Sequence, residues 1–252
     1  MFHLIWLKVF IQPIYNLLIL SYWPFKDLGA AIIIVTIIFR LILYPLFKKQ
    51  LHTQRELNAL QHEINKIKEK YKRDPQKVQL ETLKLYQERG VAPWSGCLPM
   101  LLQLPIFIAL YQVFRVYLST EKFALLYSFV PHPTNLSVIS FGFLHLDKPD
   151  FYVLPWLVGL TQYFLTKMMT PQPKSDPKKP DLSSQMAQAN KMMLYFMPGF
   201  FVLISFSLPS AIVLYFLISN LFSIVQNYIF LRTSPQVKIR TKDDKEKSKK
   251  KS

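Results

Sequence analysis

The sequence contains little of what a soluble domain or a disulfide-bonded protein of its size usually has. One cysteine in 252 residues excludes an internal disulfide and every cluster of thiolate metal ligands. Six glycines stand against a hydrophobic fraction of 51%, and the apolar residues gather into runs near or above the length that spans a bilayer, about 20 residues. These features indicate a polytopic membrane protein and argue against a soluble domain with a basic surface.

The motifs of nucleotide and metal chemistry are missing as well. The sequence has neither GxxxxGKS nor GxxxxGKT and no HExxH, and its five histidines show no metal-ligand spacing on one helix face. The apolar runs carry no Asp or Glu, which argues against a relay of carboxylates through the membrane. The remaining hydroxyls, amides and arginines suit the binding of a polypeptide better than bond cleavage. We therefore expect a protein that is not an enzyme and has no metal or other cofactor.

Five apolar runs predict an all-α polytopic membrane protein with five transmembrane helices and a cytoplasmic helical hairpin. The predicted boundaries are 1–25 for an amphipathic interfacial helix, 26–49 for the first span, 50–96 for the hairpin, 97–118 for the second span, 119–150 for an extracytoplasmic loop, 151–170 for the third span, 171–190 for a cytoplasmic loop, 191–208 for the fourth span, 209–231 for the fifth span and 232–252 for a basic tail.

Residues 1–22 leave two interpretations open. Their apolar residues follow helical spacing, their polar residues fall on the other side, and Lys8 and Pro13 interrupt the run. A helix that lies in the membrane interface is favoured, with an additional span as the alternative. The segment has no basic amino-terminal region and no small-residue cleavage site, which argues against a cleaved signal peptide.

Lysine and arginine are distributed unevenly around the predicted spans. Residues 48–96, 167–191 and 232–252 hold 11, 5 and 9 of the 31 basic residues, whereas 1–27 and 119–150 hold 2 each. Because basic segments tend to stay in the cytoplasm, we expect the amino terminus outside and the carboxyl terminus inside. The basic tail is either a solvated end that holds this orientation or an electrostatic arm for an anionic partner.

The predicted hairpin has an apolar stripe and recognisable helix ends. Asp74 and Pro75 are typical of a helix start, and Gly90 is typical of a helix end. The stripe on the first helix alternates three and four residues apart. It consists of Leu57, Leu60, Ile64, Ile67 and Tyr71. The second, shorter helix carries Val78, Leu83, Leu85 and Tyr86.

One arginine lies unusually deep in the first predicted span, TIIFRLILYPLFKK. Arg40 precedes Lys48 by eight residues, which is roughly 12 Å along a helix. A charge at the bilayer centre costs roughly 3 kcal/mol or more, so the side chain either snorkels to the cytoplasmic interface or lies in a hydrated cavity. The sequence alone leaves both open.

Three motifs occur in the order that they have in a known family. TIIFR with YPL falls at 36–46, GVAP followed by GCLPMLLQLPIFIALY at 90–111, and LPS with LYFLISN at 208–220. Over about residues 10–235 the chain resembles the YidC/Oxa/Alb membrane protein insertases. It departs from that family at Ala92, where Asn is usual, at Ala211, where Gly is usual, and at Phe216, where Trp or Tyr is frequent. The resemblance is to the short bacterial YidC type, without the large extracytoplasmic domain.

The resemblance implies a hydrophilic groove among the five spans, open to the cytoplasm and to lipid and closed to the outside. The conserved arginine of the family corresponds to Arg40, and Thr36 lies one turn away on the same helix face. The candidate groove residues are Arg40, Thr36, Gln103, Gln162, Tyr215, Phe216 and Asn220. Each of three residues has an alternative role. The Thr36 hydroxyl donates to the backbone of its own helix, Gln103 bridges helices, or Phe216 is a core or lipid contact.

The resemblance also implies a membrane protein insertase and chaperone in the bacterial cytoplasmic membrane. It would move short polar tails of nascent membrane proteins through the groove and release their apolar segments into lipid, alone or with the Sec translocon. Further implied partners are the ribosome, the signal recognition particle receptor and anionic lipids. The tail residues for the ribosome or another anionic partner are Lys238, Arg240, Lys242, Lys245, Lys247, Lys249, Lys250 and Lys251. The alternatives are a small transporter, for which paired repeats are not visible, or a non-catalytic assembly scaffold.

Overall fold

The computed structural model describes residues 5–71, 74–90, 98–114, 125–133, 136–170 and 182–233. Of residues 98–102, 182–191 and 193 it describes only the backbone. A π-helical turn, Leu7–Ile11, leads into the first helix. The helices are α1 (Gln12–Phe25), α2 (Leu28–Ile42), α3 (Tyr44–Lys70), α4 (Pro75–Arg89), α5 (Leu98–Gln112), α6 (Leu154–Met169), α7 (Leu182–Ser205) and α8 (Ser210–Thr233). The prediction of a mainly helical protein is thus confirmed.

Two short strands are the exception to the helical architecture. Strands β1 (Ile139–Ser140) and β2 (Leu144–His145) pair antiparallel, with Ile139 opposite His145 and Ser140 opposite Leu144. They lie in the segment predicted as a loop. With two residues each, they are too short for the period-two alternation by which strands are recognised in a sequence.

Of the helices in the described ranges, α8 is the one that is long and apolar enough by itself to cross a membrane. Helix α2 meets the same criterion only together with α3, and the apolar stretch Leu194–Ser205 of α7 is shorter. Large apolar side chains on α6 and α8 are exposed at helical spacing, for example Leu160 with Phe164 and Val225 with Ile229. Faces of this kind are suited to contact with lipid. The number and bounds of the five spans stay predictions.

Helix α2, which carries Arg40, has a defined start and a defined end. The Asp27 carboxylate accepts a hydrogen bond from the Ala30 backbone N–H at 2.9 Å, which is the usual geometry of a helix cap. At the other end the helix breaks at Leu43, directly before Tyr44 and Pro45. Proline has no backbone N–H to continue the hydrogen bonds of the preceding turn, and Pro45 therefore accounts for the position of the break.

The described chain divides into two compact units. The first comprises Met1–Tyr44, Met100–Leu165 and Met197–Val225, and the second comprises Pro45–Pro99, Thr166–Phe196 and Gln226–Ser252. The first unit therefore contains α1, α2, the strand pair and most of α5, α6 and α8. The second contains nearly all of α3 and all of α4.

In the first unit, α1 packs along α2 with one face fully buried. Tyr15 and Leu18 of α1 and Ile32 of α2 belong to the same apolar core. The buried amide of Asn16 joins α1 to the segment before the strands. It donates to the Leu125 carbonyl at 2.9 Å and accepts from the Tyr127 N–H at 2.7 Å. The other face of α1 exposes Leu20, Trp23 and Phe25. Either an interfacial helix or an additional span could place such a face against lipid, so the choice between them stays a prediction.

The strand pair is fastened to the start of α2. The Asp27 carboxylate accepts from the Phe141 N–H at 2.8 Å and from the Ser140 hydroxyl, and the same hydroxyl accepts from the Gly29 N–H at 3.0 Å. Gly29 is required by this approach, since a Cβ atom there would lie 2.8 Å from the Phe141 ring and would also collide with Ser140. Asp27 thus caps α2 and positions the β1–β2 turn.

Asp150 performs a similar function at the start of α6. Its carboxylate accepts hydrogen bonds from the backbone N–H groups of Tyr152, Val153 and Leu154 at 3.0, 3.2 and 2.7 Å. Partial burial favours the protonated acid, but the three N–H donors outweigh it and hold the pKa of Asp150 below its usual range. The folded state therefore binds this proton more weakly than the unfolded chain, and the stabilisation by the ionised cap is lost as the pH falls.

The second unit is built around the pair of helices α3 and α4. Leu57, Leu60 and Ile64 of α3 form a buried cluster with Leu85 of α4. The Arg89 guanidinium donates to both carboxylate oxygens of Glu63 at 2.8 Å. The Asp74 cap, the Pro75 start and the Gly90 end of α4 are confirmed. Their cytoplasmic location stays a prediction.

Three polar side chains of α3 reach the carboxyl-terminal ends of two other helices in this unit. The amides of Gln54 and Asn58 donate to the Met169 carbonyl at 3.3 and 3.2 Å, at the end of α6. The Arg55 guanidinium donates to the Phe230 carbonyl at 3.2 Å and lies 4.3 Å from the centre of the Phe230 ring. Carbonyls in the last turn of a helix have no partner within it, so α3 satisfies groups that would otherwise need water.

Candidate functional site

The candidate site centres on Arg40, in the last turn of α2. The side chain is buried, with 9% of its surface exposed. A cation in the last turn of a helix is favoured by the helix dipole, and the guanidinium lies close to Tyr215 on α8. The structure thus places the predicted arginine inside the first unit beside a second predicted site residue.

Gln103 of α5 completes a polar cluster with these two residues. Its side-chain amide donates to the Tyr215 hydroxyl at 2.5 Å. Arg40, Gln103 and Tyr215 come from α2, α5 and α8, which are far apart in the sequence. The Gln103 amide forms the bridge between helices that the sequence left open. Gln103 is half-buried, and its place in a groove stays a prediction.

A small cavity lies next to this cluster and is lined mainly by apolar side chains. Thr36 and Tyr215 are the polar residues that line it, and the Thr36 hydroxyl donates to the Ile32 carbonyl of its own helix at 2.6 Å. The remaining lining residues are Ile14, Leu18, Ile32, Val35, Phe39, Ile106, Leu110 and Phe114. The alternative for Thr36, a bond to its own backbone, is therefore the geometry observed.

Asn220 forms a second polar contact, between α8 and α6. Its amide donates to the Thr161 hydroxyl at 3.3 Å, and that hydroxyl donates to the Leu157 carbonyl at 2.8 Å. Thr161 was not among the predicted site residues. Its signal in the sequence was its place in an apolar run directly before Gln162, which is half-buried on the same helix.

Phe216 lies in an aromatic cluster of the first unit. Its ring centre is 5.6 Å from that of Phe107 on α5 and 5.3 Å from that of Phe201 on α7. These separations are typical of aromatic packing. Phe216 is half-buried, so the ring takes part in the core and still presents part of its surface.

Other predicted features lie outside the described residues. They are Ala92 and the basic tail residues Lys238, Arg240, Lys242, Lys245, Lys247, Lys249, Lys250 and Lys251. Within the described residues, no group of three or more His, Cys, Asp or Glu side chains has an arrangement that could hold a metal ion.

Comparison with known proteins gives consistent matches along the chain. A family model described as 60Kd inner membrane protein matches residues 20–238. Among the relatives is a protein named membrane protein insertase YidC from an Anaeromyxobacter species, 40% identical over 211 residues, which are 83% of this chain and 33% of that protein. A protein of the same name from Aquifex aeolicus is 36% identical over 228 residues, which are 88% of this chain and 39% of that protein.

A shorter relative matches along most of its own length. The protein named membrane protein insertase YidC from Fusobacterium nucleatum is 37% identical over 207 residues, which are 82% of this chain and 87% of that protein. This chain spans between a third and two fifths of the Anaeromyxobacter and Aquifex proteins. The matched residues include Arg40, Gln103 and Tyr215, and the chain therefore belongs to the 60Kd inner membrane protein family of the bacterial inner membrane.

Proposed function

We propose that the chain is a membrane protein insertase that binds nascent membrane proteins and guides their short polar tails part of the way across the bilayer. Five spans surround a hydrophilic groove that opens to the cytoplasm and to lipid. The amino terminus lies outside and the carboxyl terminus inside. The uneven distribution of basic residues and the named insertases among the relatives support this proposal.

The observation that carries the proposal is the cluster of Arg40, Gln103 and Tyr215. A guanidinium cannot lose its charge in a protein, so burial in dry lipid would carry the full desolvation penalty. Three helices instead bring an amide and a hydroxyl to the same place as the cation. Such a site favours hydration and attracts the polar or acidic residues of a client tail.

Insertion by this route needs no nucleotide. Each Leu, Ile, Phe or Val at the centre of a client span gains about 0.3–0.6 kcal/mol on entering the bilayer, so a span of them supplies several kcal/mol. The work left to the protein is to lower the barrier for the polar tail and to give the apolar segment access to lipid. Both are binding functions, which is consistent with a protein that is not an enzyme.

Site-specific crosslinking from positions 36, 103 and 216 to a stalled nascent membrane protein tests the proposal. We expect products from positions 103 and 216 that depend on the length of the nascent chain, and loss of single-span client insertion when the protein is depleted. An exposed position on α4, Leu83, is the matched control and should give none. Crosslinks without any insertion defect on depletion would instead support the scaffold alternative.

The basic tail is proposed to bind the ribosome or another anionic partner, and the Sec translocon, the signal recognition particle receptor and anionic lipids are proposed further partners. Residues 232–252 hold 9 of the 31 basic residues. Phosphate-rich surfaces attract such a segment through long-range charge interactions that fall off within a Debye length, about 8 Å at physiological ionic strength.

Deletion of residues 238–252 should weaken ribosome binding, with the difference from the full chain shrinking as salt is raised. The reason is that salt screens exposed charges, so the tail contributes most at low ionic strength. Cosedimentation with ribosomes over a salt series measures this. A control tail with its lysines and arginines replaced by glutamine separates charge from length. Binding that does not vary with salt would contradict the electrostatic account.

A further inference from the structure

The β1–β2 hairpin presents apolar side chains that the described residues of the first unit leave exposed. Phe143, in the turn, is 77% exposed, and Val138, Ile139 and Phe141 are exposed as well. The segment 136–146 contains no Lys, Arg, Asp or Glu. A loop exposed to water usually has polar and charged residues at its tip, so this composition points to an apolar or interfacial environment.

Hydrogen bonds attach the hairpin to the starts of two helices. Asp27 and Gly29 bind it at the start of α2. Directly after β2, the Leu146 carbonyl accepts from the Ala211 N–H at 3.1 Å and the Lys148 carbonyl accepts from the Ser210 N–H at 2.9 Å, at the start of α8. The turn therefore lies at the level where these helices begin, which is the edge of the bilayer for helices that cross it.

Three backbone N–H groups in and beside the turn have hydrogen-bond partners within the protein. The Phe141 N–H donates to Asp27, the Phe143 N–H donates to the Ser140 carbonyl at 3.2 Å, and the Leu146 N–H donates to the Val138 carbonyl at 2.9 Å. Unpaired peptide groups are what make it unfavourable to place a loop in an apolar environment. This turn can leave bulk water without losing those bonds.

The turn contains two consecutive residues with positive φ. Phe141 has φ +54° and Gly142 has φ +81°, and positive φ is unfavourable for a bulky residue such as Phe. The bond from its N–H to Asp27 fixes Phe141 in this conformation. Strain of this kind persists where the surrounding structure imposes it, and it often accompanies function.

We propose that the β1–β2 hairpin is a membrane-surface anchor that inserts Phe143 into the interfacial region of the outer leaflet. Segments that lie in this region bury apolar side chains such as Trp, Phe and Leu at the boundary of headgroups and acyl chains. The exposed aromatic residues Tyr152 and Trp156 at the start of α6 lie at the same end of the unit and would extend the contact. Only the assignment to the outer leaflet rests on the proposed orientation of the chain. The contact with lipid follows from the turn itself.

Fluorophore depth measurement on the full chain tests this anchor. The single native cysteine is removed by Cys97→Ser, Phe143→Cys is labelled with the environment-sensitive dye NBD, and the protein is reconstituted in vesicles of phosphatidylcholine and phosphatidylglycerol. We expect a blue-shifted emission, strong quenching by nitroxides attached near the lipid headgroup, weaker quenching by nitroxides at mid-chain, and protection from aqueous iodide. Asp147→Cys, at an exposed position two residues after β2, is the matched control and should be quenched by iodide.

Equal iodide quenching at positions 143 and 147 would overturn the inference. So would a label at position 143 that is exposed in pure lipid vesicles and protected only in native membranes, because that result would assign the surface to a protein partner. The measurement needs no client and no ribosome. A protein without insertase activity would still give the expected depth, and a water-exposed turn in an active insertase would refute the anchor alone.

Discussion

The Arg40→Ala variant is expected to insert clients with acidic translocated tails roughly thirtyfold less efficiently than the unchanged protein, while clients with neutral tails change little. At an effective dielectric constant of about 20, two opposite charges about 8 Å apart attract each other by about 2 kcal/mol. Arg40 is buried beside Tyr215 and Gln103, a setting in which bulk water screens the charge less than at the surface. The measurement is protease protection of matched clients that differ only in tail charge.

Two control variants separate charge from structure in this experiment. Arg40→Lys keeps the positive charge but loses the planar fork of donors, so it should retain most of the preference for acidic tails. Arg55→Ala removes a cation from α3 in the other unit and should not discriminate between tails. An equal defect for acidic and neutral tails in Arg40→Ala would show that the arginine shapes the site without recognising charge.

The Leu60→Ala variant is expected to destabilise the α3–α4 pair by about 2–4 kcal/mol. Leu60 is 2% exposed and lies in the small cluster with Ile64 and Leu85 that joins the two helices. So small a cluster has few other apolar contacts to compensate for a cavity. Hydrogen exchange of α3 and α4 amides in the full-length protein should accelerate at least thirtyfold, since about 2 kcal/mol corresponds to that factor.

Leu83→Ala provides the matched control for this prediction. Leu83 lies on α4 and is 46% exposed, so the same chemical change should alter stability by no more than about 0.5 kcal/mol. Exchange confined to the α3–α4 amides would also show that the second unit opens separately. If both variants exchange at the rate of the unchanged protein, the cluster does not hold the two helices together.

Local features of the fold were readable from the sequence because their causes are local. The ends of α4 follow from Asp74, Pro75 and Gly90, each of which acts on its own turn of helix. The stripe on α3 follows from spacing alone, and Leu57, Leu60 and Ile64 are buried as it predicts. Leu83 is exposed instead, because a short helix with several apolar residues can turn only one face to its partner.

Features that join distant segments could not be predicted in the same way. Asn16 binds Leu125 and Tyr127 across more than 100 residues, and Asp27 binds the β1–β2 turn across a similar separation. The hydrophobic periodicity of a sequence carries no information about contacts between distant segments. The same holds in the candidate site. The motifs indicated Gln103 and Asn220 as polar site residues, but they did not indicate their partners. Gln103 donates to Tyr215, and Asn220 donates to Thr161.

The three α3 side chains that reach Met169 and Phe230 set a distance as well as satisfying carbonyls. Gln54, Arg55 and Asn58 fall within about 6 Å of helix rise, yet they hold the ends of α6 and α8. Neither end can slide or spread beyond the reach of these side chains without breaking a bond. Helix α3 therefore fixes the distance between the ends of α6 and α8. A force that pulls on α4 is transmitted to both ends through it.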